Sequence, residues 1–272
     1  MNIALIQMRV RQKKQDNLAA AAQFVASAAQ GGADIAVLPE MFSCPYETPN
    51  FPVYAEYAGG ESCSALSRMA AENGIWLIGG SIPEKDDAGR VYNTSFVFNR
   101  AGECVARHRK MHLFDIDVKG GQRFKESETL TAGNSVTVFD TEFGKIGVAI
   151  CYDIRFPELS RLMAERGARV LVVPAAFNMT TGPAHWELTF RARALDNQVY
   201  AVGVSPARDM TASYHAYGNS IVTSPWGEIC ERLDEKEGMK IAALDLQRID
   251  SVREQLPLLK QIRKDVYRLE LL

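Results

Sequence analysis

Ala29-Gln30-Gly31-Gly32-Ala33-Asp34-Ile35-Ala36-Val37-Leu38-Pro39 reads as a helix end, a glycine stop, a short buried strand and a proline. Further on, Ala164-Glu165-Arg166-Gly167-Ala168-Arg169-Val170-Leu171-Val172-Val173-Pro174 repeats that order without a gap. Glycine is so common at helix ends that two unrelated helix–strand joins can look alike. The other reading is two similar halves, each a layer of helices on a sheet, within one α/β domain.

Strand and helix signals alternate outward from these stretches. Residues 2–8 read as a buried strand. Asp16 is placed to cap a helix that Gly31-Gly32 ends. A second helix is expected over about residues 61–73, with Gly74 as its stop. Strands are expected over 75–80, 91–99 and 104–110, the last two joined by a hairpin turn at 100–103. After a polar loop, 136–140 and 145–150 read as strands. Pro157 suits the first turn of a helix ending near Gly167. Strand 170–173, helix 185–196, and strands 199–204, 220–223 and 241–244 follow. From about 246 the chain reads as helix and then a tail. Leu269, Leu271 and Leu272 make that tail apolar enough to dock on a partner subunit.

The 272 residues are 47 % hydrophobic and 24 % charged, which is enough for one sizeable α/β core without a disulfide or metal staple. The net charge of −2 and the absence of a basic stripe argue against nucleic acid. Basic clusters are short, and one of them, Arg107-His108-Arg109-Lys110, reads most simply as a solvated strand end. Five widely spaced cysteines, an odd number, fit neither a disulfide framework nor a structural zinc site and favour a reducing compartment. No window reaches the ~18 apolar residues of a membrane span, and the first residues lack the pattern of a secretory signal. The cytoplasm is the expected location, with no membrane partner.

Two positions carry chemistry. Glu40 directly follows a buried strand and a proline, and such a carboxylate must be solvated or paired. Cys151 follows the strand Ile146-Gly147-Val148-Ala149-Ile150 and precedes the helix opened by Pro157. A strand–nucleophile–helix turn exposes a side chain and gathers backbone N–H groups around it. A buried free cysteine is also often only a small hydrophobe. No histidine stands out as its base. His108 and His112 are four residues apart, but in a region read as strand then loop, and no third ligand stands at a metal spacing. No metal or organic cofactor is expected.

These surroundings resemble the nitrilase (carbon–nitrogen hydrolase) superfamily. Leu38-Pro39-Glu40-Met41-Phe42, Arg109-Lys110-Met111-His112-Leu113-Phe114 and Ile150-Cys151-Tyr152-Asp153-Ile154-Arg155-Phe156-Pro157-Glu158 look like its glutamate, lysine and cysteine motifs, in order. Glu126, in Phe124-Lys125-Glu126-Ser127, resembles a second family glutamate. Phe177-Asn178-Met179-Thr180-Thr181-Gly182-Pro183-Ala184-His185-Trp186-Glu187 and other stretches bring the resemblance closest to the ω-amidase branch. Gly120-Gly121-Gln122-Arg123 departs from the Pro-Gly turn expected there, at the lip of the pocket.

The resemblance implies a four-layer α-β-β-α sandwich that pairs as a homodimer. It implies a catalytic set of Glu40, Lys110, Cys151 and Glu126, with the Tyr152 backbone N–H at the oxyanion. It also implies a small amide substrate, such as a 2-oxo-dicarboxylate monoamide. Arg155 is the first candidate for binding the substrate's far carboxylate, with Tyr46, Thr181 and His112 behind it. An ion pair of Arg155 with Asp153 or Glu158 is the competing reading. Amidases of deaminated glutathione or carbamoyl-amines share the triad, and a non-catalytic interaction protein could use the same fold.

Overall fold

The computed structural model describes residues 1–119 and 123–272; the first three residues of the departing stretch 120–123 lie outside them. In chain order the first elements are β1 (Asn2–Gln7), α1 (Lys14–Gln30), β2 (Ile35–Val37), α2 (Asn50–Tyr54), α3 (Glu61–Asn73) and β3 (Trp76–Ile78). Next come β4 (Ile82–Lys85), β5 (Val91–Phe98), β6 (Cys104–Arg109), β7 (Asp115–Asp117), β8 (Arg123–Lys125), β9 (Thr137–Thr141) and β10 (Gly144–Val148). The chain continues through α4 (Pro157–Glu165), β11 (Val170–Pro174), α5 (Gly182–Asn197) and β12 (Tyr200–Val204). It closes with β13 (Ile221–Thr223), β14 (Ile229–Arg232), β15 (Gly238–Ala243) and α6 (Gln247–Gln255).

One sheet runs β15-β1-β2-β3-β5-β4, with β6 also paired to β5, and the other runs β14-β13-β12-β11-β10-β9. Side-chain alternation shows how they stack. In β1, Ile3 and Leu5 join Ile146, Val148, Val170 and Val172 of the second sheet in one apolar layer. Ala4 and Ile6 face α1 and α3 with Val25, Leu66 and Met69. In β11, Leu171 and Val173 turn instead to α4 and α5 with Met163, Trp186 and Phe190. Both faces of both sheets are therefore covered, which is why β2, β3 and β11 are apolar throughout rather than alternating. The result is the expected α-β-β-α sandwich.

The echoed stretches are equivalent in space. Helix α1 leads into β2, which is parallel to β1 and β3. Helix α4 leads into β11, which is parallel to β10 and β12. Gly74 ends α3 in the left-handed conformation, as its position implies.

Some expectations change. Helix α1 begins at Lys14, so Asp16 sits in its first turn and makes no side-chain cap; there it complements the helix dipole. Helix α5 begins three residues before His185. The strand β4 was not expected because it contains Pro83, but it lies at the end of its sheet, where a missing N–H is tolerated. The short pair β7–β8 and the single-turn α2 also carried too little periodicity to be seen.

Candidate active site

The parallel strands β2, β10 and β11 deliver their carboxyl ends to one place, where open α/β sheets put ligands. Glu40 arrives three residues after β2, Cys151 three after β10, and Ala176 two after β11.

Cys151 has φ +46°, in the left-handed region that a side chain rarely adopts. It opens a 3₁₀ turn, Cys151–Arg155, that runs into Pro157 of α4. The strain is held by Asp153, which is fully shielded from solvent. Its Oδ2 accepts the Ile150 N–H (3.0 Å) and faces His108 Nε2 (3.0 Å). Its Oδ1 accepts the N–H groups of Met111 (3.2 Å) and His112 (2.8 Å) and faces His112 Nδ1 (2.8 Å). One carboxylate thus ties the nucleophile turn to the segment carrying Lys110. Burial opposes its charge, but His108, His112 and the Ile150 N–H together hold its pKa below the usual carboxylate range.

The basic cluster is not a solvated strand end. Along β6 the side chains alternate. Arg107 and Arg109 reach Glu84 on one face (3.0 and 2.7 Å), while His108 and Lys110 are wholly buried on the other. Lys110 Nζ lies 2.9 Å from Glu40 Oε1 and 2.8 Å from Glu126 Oε2. Burial works against this ammonium, but Glu126 and Glu40 outweigh it and raise its pKa above an ordinary lysine's. Glu126 Oε2 also accepts the Phe114 N–H (2.7 Å), and its Oε1 accepts the Tyr46 hydroxyl (2.7 Å).

Glu40 is wholly buried, so it is no loop carboxylate in water. Its Oε1 also accepts from Asn93 Nδ2 (2.8 Å) and the Tyr46 hydroxyl (3.2 Å), and its Oε2 accepts the Ala176 N–H (2.7 Å). Burial raises its pKa against the pull of Lys110. The Cys151 thiol is pushed far up by burial and by the charge of Glu40. The cysteine is therefore a neutral thiol beside a base, not a free thiolate.

Arg155 makes no ion pair among the described residues. Asp153 is taken by the two histidines, and Glu158 does not reach it. Its guanidinium lies over the Phe177 ring (4.5 Å to the centroid), and its Nε is buried without a partner. Tyr46 belongs to the carboxylate cluster and also lines a cavity with Glu40, Ala176 and Tyr214. Thr181 gives its hydroxyl to Asn178 Oδ1 (3.1 Å). His112, expected at the substrate, instead supports Asp153 and stacks on Phe156 at 3.7 Å, because a buried carboxylate needs its N–H.

Asp153, His108, Asn93 and the Ala176 N–H were not expected at the site. Asp153 stands two residues from Cys151, and His108 is in phase with Lys110 on a strand, so both carried a signal. Asn93 and Ala176 carried none.

A buried thiol, two glutamates and a lysine gathered at the carboxyl ends of the strands form a cysteine nucleophile with a base and a cation beside it, the equipment of a cysteine hydrolase. The sequence matches the family model described as carbon–nitrogen hydrolase over residues 2–254, and the chain belongs to that family. It is 54 % identical to omega-amidase NIT2-A of Xenopus laevis over 268 residues, covering 98 % of this chain and 97 % of that one. To omega-amidase NIT2 of Homo sapiens it is 49 % identical, covering 99 % and 97 %. The crystal structure of Saccharomyces cerevisiae Nit3, a member of branch 10 of the nitrilase superfamily, superposes with a TM-score of 0.89 at 44 % identity, covering 97 % and 96 %.

Proposed function

We propose that this chain is an ω-amidase that hydrolyses the terminal amide of small 2-oxo-dicarboxylate monoamides, such as 2-oxoglutaramate, to the acid and ammonia. The observation that carries this reading is the pairing of two features on one turn: a thiol beside Glu40 and Lys110, and four residues on a guanidinium that pairs with no carboxylate among the described residues. The ω-amidase relatives support the same substrate class.

In this mechanism Glu40 takes the thiol proton as the sulfur attacks the amide carbon. Lys110 Nζ and the Tyr152 N–H, at the start of the 3₁₀ turn, hold the oxyanion. One such donor contributes ~2.7–4 kcal/mol of transition-state stabilisation. The C–N bond breaks as Glu40 returns the proton to nitrogen, and ammonia leaves a thioester on Cys151. Glu40 then takes a proton from water, whose oxygen attacks the thioester carbon. The acid departs and the thiol regains its proton. Glu126 keeps Lys110 in place, since its own carboxylate is committed to the Phe114 N–H and Tyr46. Arg155 binds the far carboxylate as a fork. The exposed Tyr267 and Leu272 of the tail support assembly as a homodimer, to be checked by the mass of a chain ended at residue 256.

The test is ammonia release from 2-oxoglutaramate and from glutamine, with wild type and Cys151→Ala side by side. Release by wild type alone, faster from the oxo-acid amide, is expected. Equal rates on both amides would set aside the substrate assignment.

A further inference from the structure

Helix α5 grips Arg155 at both ends. Arg193 on α5 donates through Nε to the Ile154 carbonyl (2.8 Å) and through Nη2 to the Arg155 carbonyl (3.0 Å), fixing the backbone. One turn into the same helix, His185 Nδ1 lies 2.9 Å from Arg155 Nη1. A guanidinium can only donate, so Nδ1 is the acceptor and the imidazole is neutral with its proton on Nε2. Burial and the adjacent Arg155 both hold the His185 pKa below its ordinary value, in keeping with that neutral form. The helix is a rigid base for this contact: Trp186, the next residue, is wholly buried and donates to the Asn219 carbonyl at 2.7 Å.

The contact occupies one N–H of the guanidinium and leaves the opposite side of it unpartnered among the described residues. With Nη1 bonded to His185 and the guanidinium over the Phe177 ring, the Nε–Nη2 edge makes no hydrogen bond among the described residues, and its Nε is shielded from solvent. Two parallel N–H groups on one edge are the arrangement that receives a carboxylate through both oxygens. A long arginine without such a tether would lose side-chain entropy on binding its ligand.

We propose that His185 is a positioning residue for specificity: it orients Arg155 so that the Nε–Nη2 edge meets the carboxylate at the far end of the substrate. This rests on the ω-amidase reading above. His185 touches no reacting atom in this scheme, so it acts on recognition and not on the chemical step.

The experiment compares KM and kcat for 2-oxoglutaramate and for its methyl ester, in which the carboxylate is capped. The proteins are wild type, Arg155→Gln, His185→Ala and His185→Asn. His185→Ala is expected to raise KM for 2-oxoglutaramate about tenfold, the loss of one hydrogen bond to a charged group, with kcat and the ester nearly unchanged. His185→Asn, whose Oδ1 can accept near the position of Nδ1, is expected to recover most of that loss. If Arg155→Gln raises KM for the acid alone while His185→Ala leaves it unchanged, or lowers kcat for both substrates alike, the role of His185 is overturned and the carboxylate site stands. If Arg155→Gln does not distinguish acid from ester, the carboxylate reading itself falls, and the role of His185 with it.

Discussion

Asp153 Oδ2 and His108 Nε2 lie 3.0 Å apart with neither side chain exposed to solvent. His108 Nδ1 continues to Thr137 Oγ1 at 3.0 Å, so β6, β9 and the nucleophile turn share one buried polar chain. Partners enclosed in this way are costly to remove singly, because whatever remains keeps its desolvation penalty.

Asp153→Asn is therefore expected to destabilise the protein by about 3 kcal/mol or more, since an amide nitrogen must face N–H donors. The Asp153 pKa is lowered in the folded state, so its stabilisation is complete above the ordinary carboxylate range and fades as pH falls through and below it. Urea denaturation at pH 6, 4.5 and 3.5 should show the wild-type advantage shrinking with acid. An advantage that grows would contradict this account.

Lys110→Met would leave Glu40 and Glu126 buried together without their cation. The expected loss is about 3–5 kcal/mol at neutral pH, together with nearly all activity. Glu40 already has a raised pKa, and losing Lys110 raises it further. A raised carboxyl pKa means the folded state binds the extra proton, so stability falls as pH rises. The variant should melt at a higher temperature at pH 5.5 than at pH 8.

The dependence of kcat/KM on pH follows from the same carboxyl. Glu40 must be ionised to accept the thiol proton, and burial raises its pKa. Activity should decline in acid through a pKa above the ordinary glutamate value of about 4.3. Rates that stay level down to that value would remove Glu40 as the base.

Gly80 has φ +53°, and a Cβ there would collide with the carbonyl oxygen of Pro39, the residue before Glu40. Gly80→Ala is expected to cost at least about 1–2 kcal/mol from the backbone alone. It should also lower kcat by displacing Glu40. Thermal denaturation and steady-state rates check both effects. An active variant of wild-type stability would show that the loop yields freely.

Local pattern carried the alternation of strands and helices, while the four layers were what the family resemblance implied. Unbroken apolar strands such as Val170–Pro174 signal a sheet covered on both faces, and glycine and proline mark where each unit stops. The three motifs around Glu40, Lys110 and Cys151 were equally legible, because each lies within a few consecutive residues. What those residues touch was not. Glu40 is held by Asn93 and by the N–H of Ala176, which are 53 and 136 residues away. Arg155 meets His185 across 30 residues. Sheet register and the packing of one layer on another decide such pairings, and neither leaves a period in the chain. Whether residues 107–110 lay in water or half in the core likewise depended on what covered β6, so sequence determined the parts and the tertiary structure determined their partners.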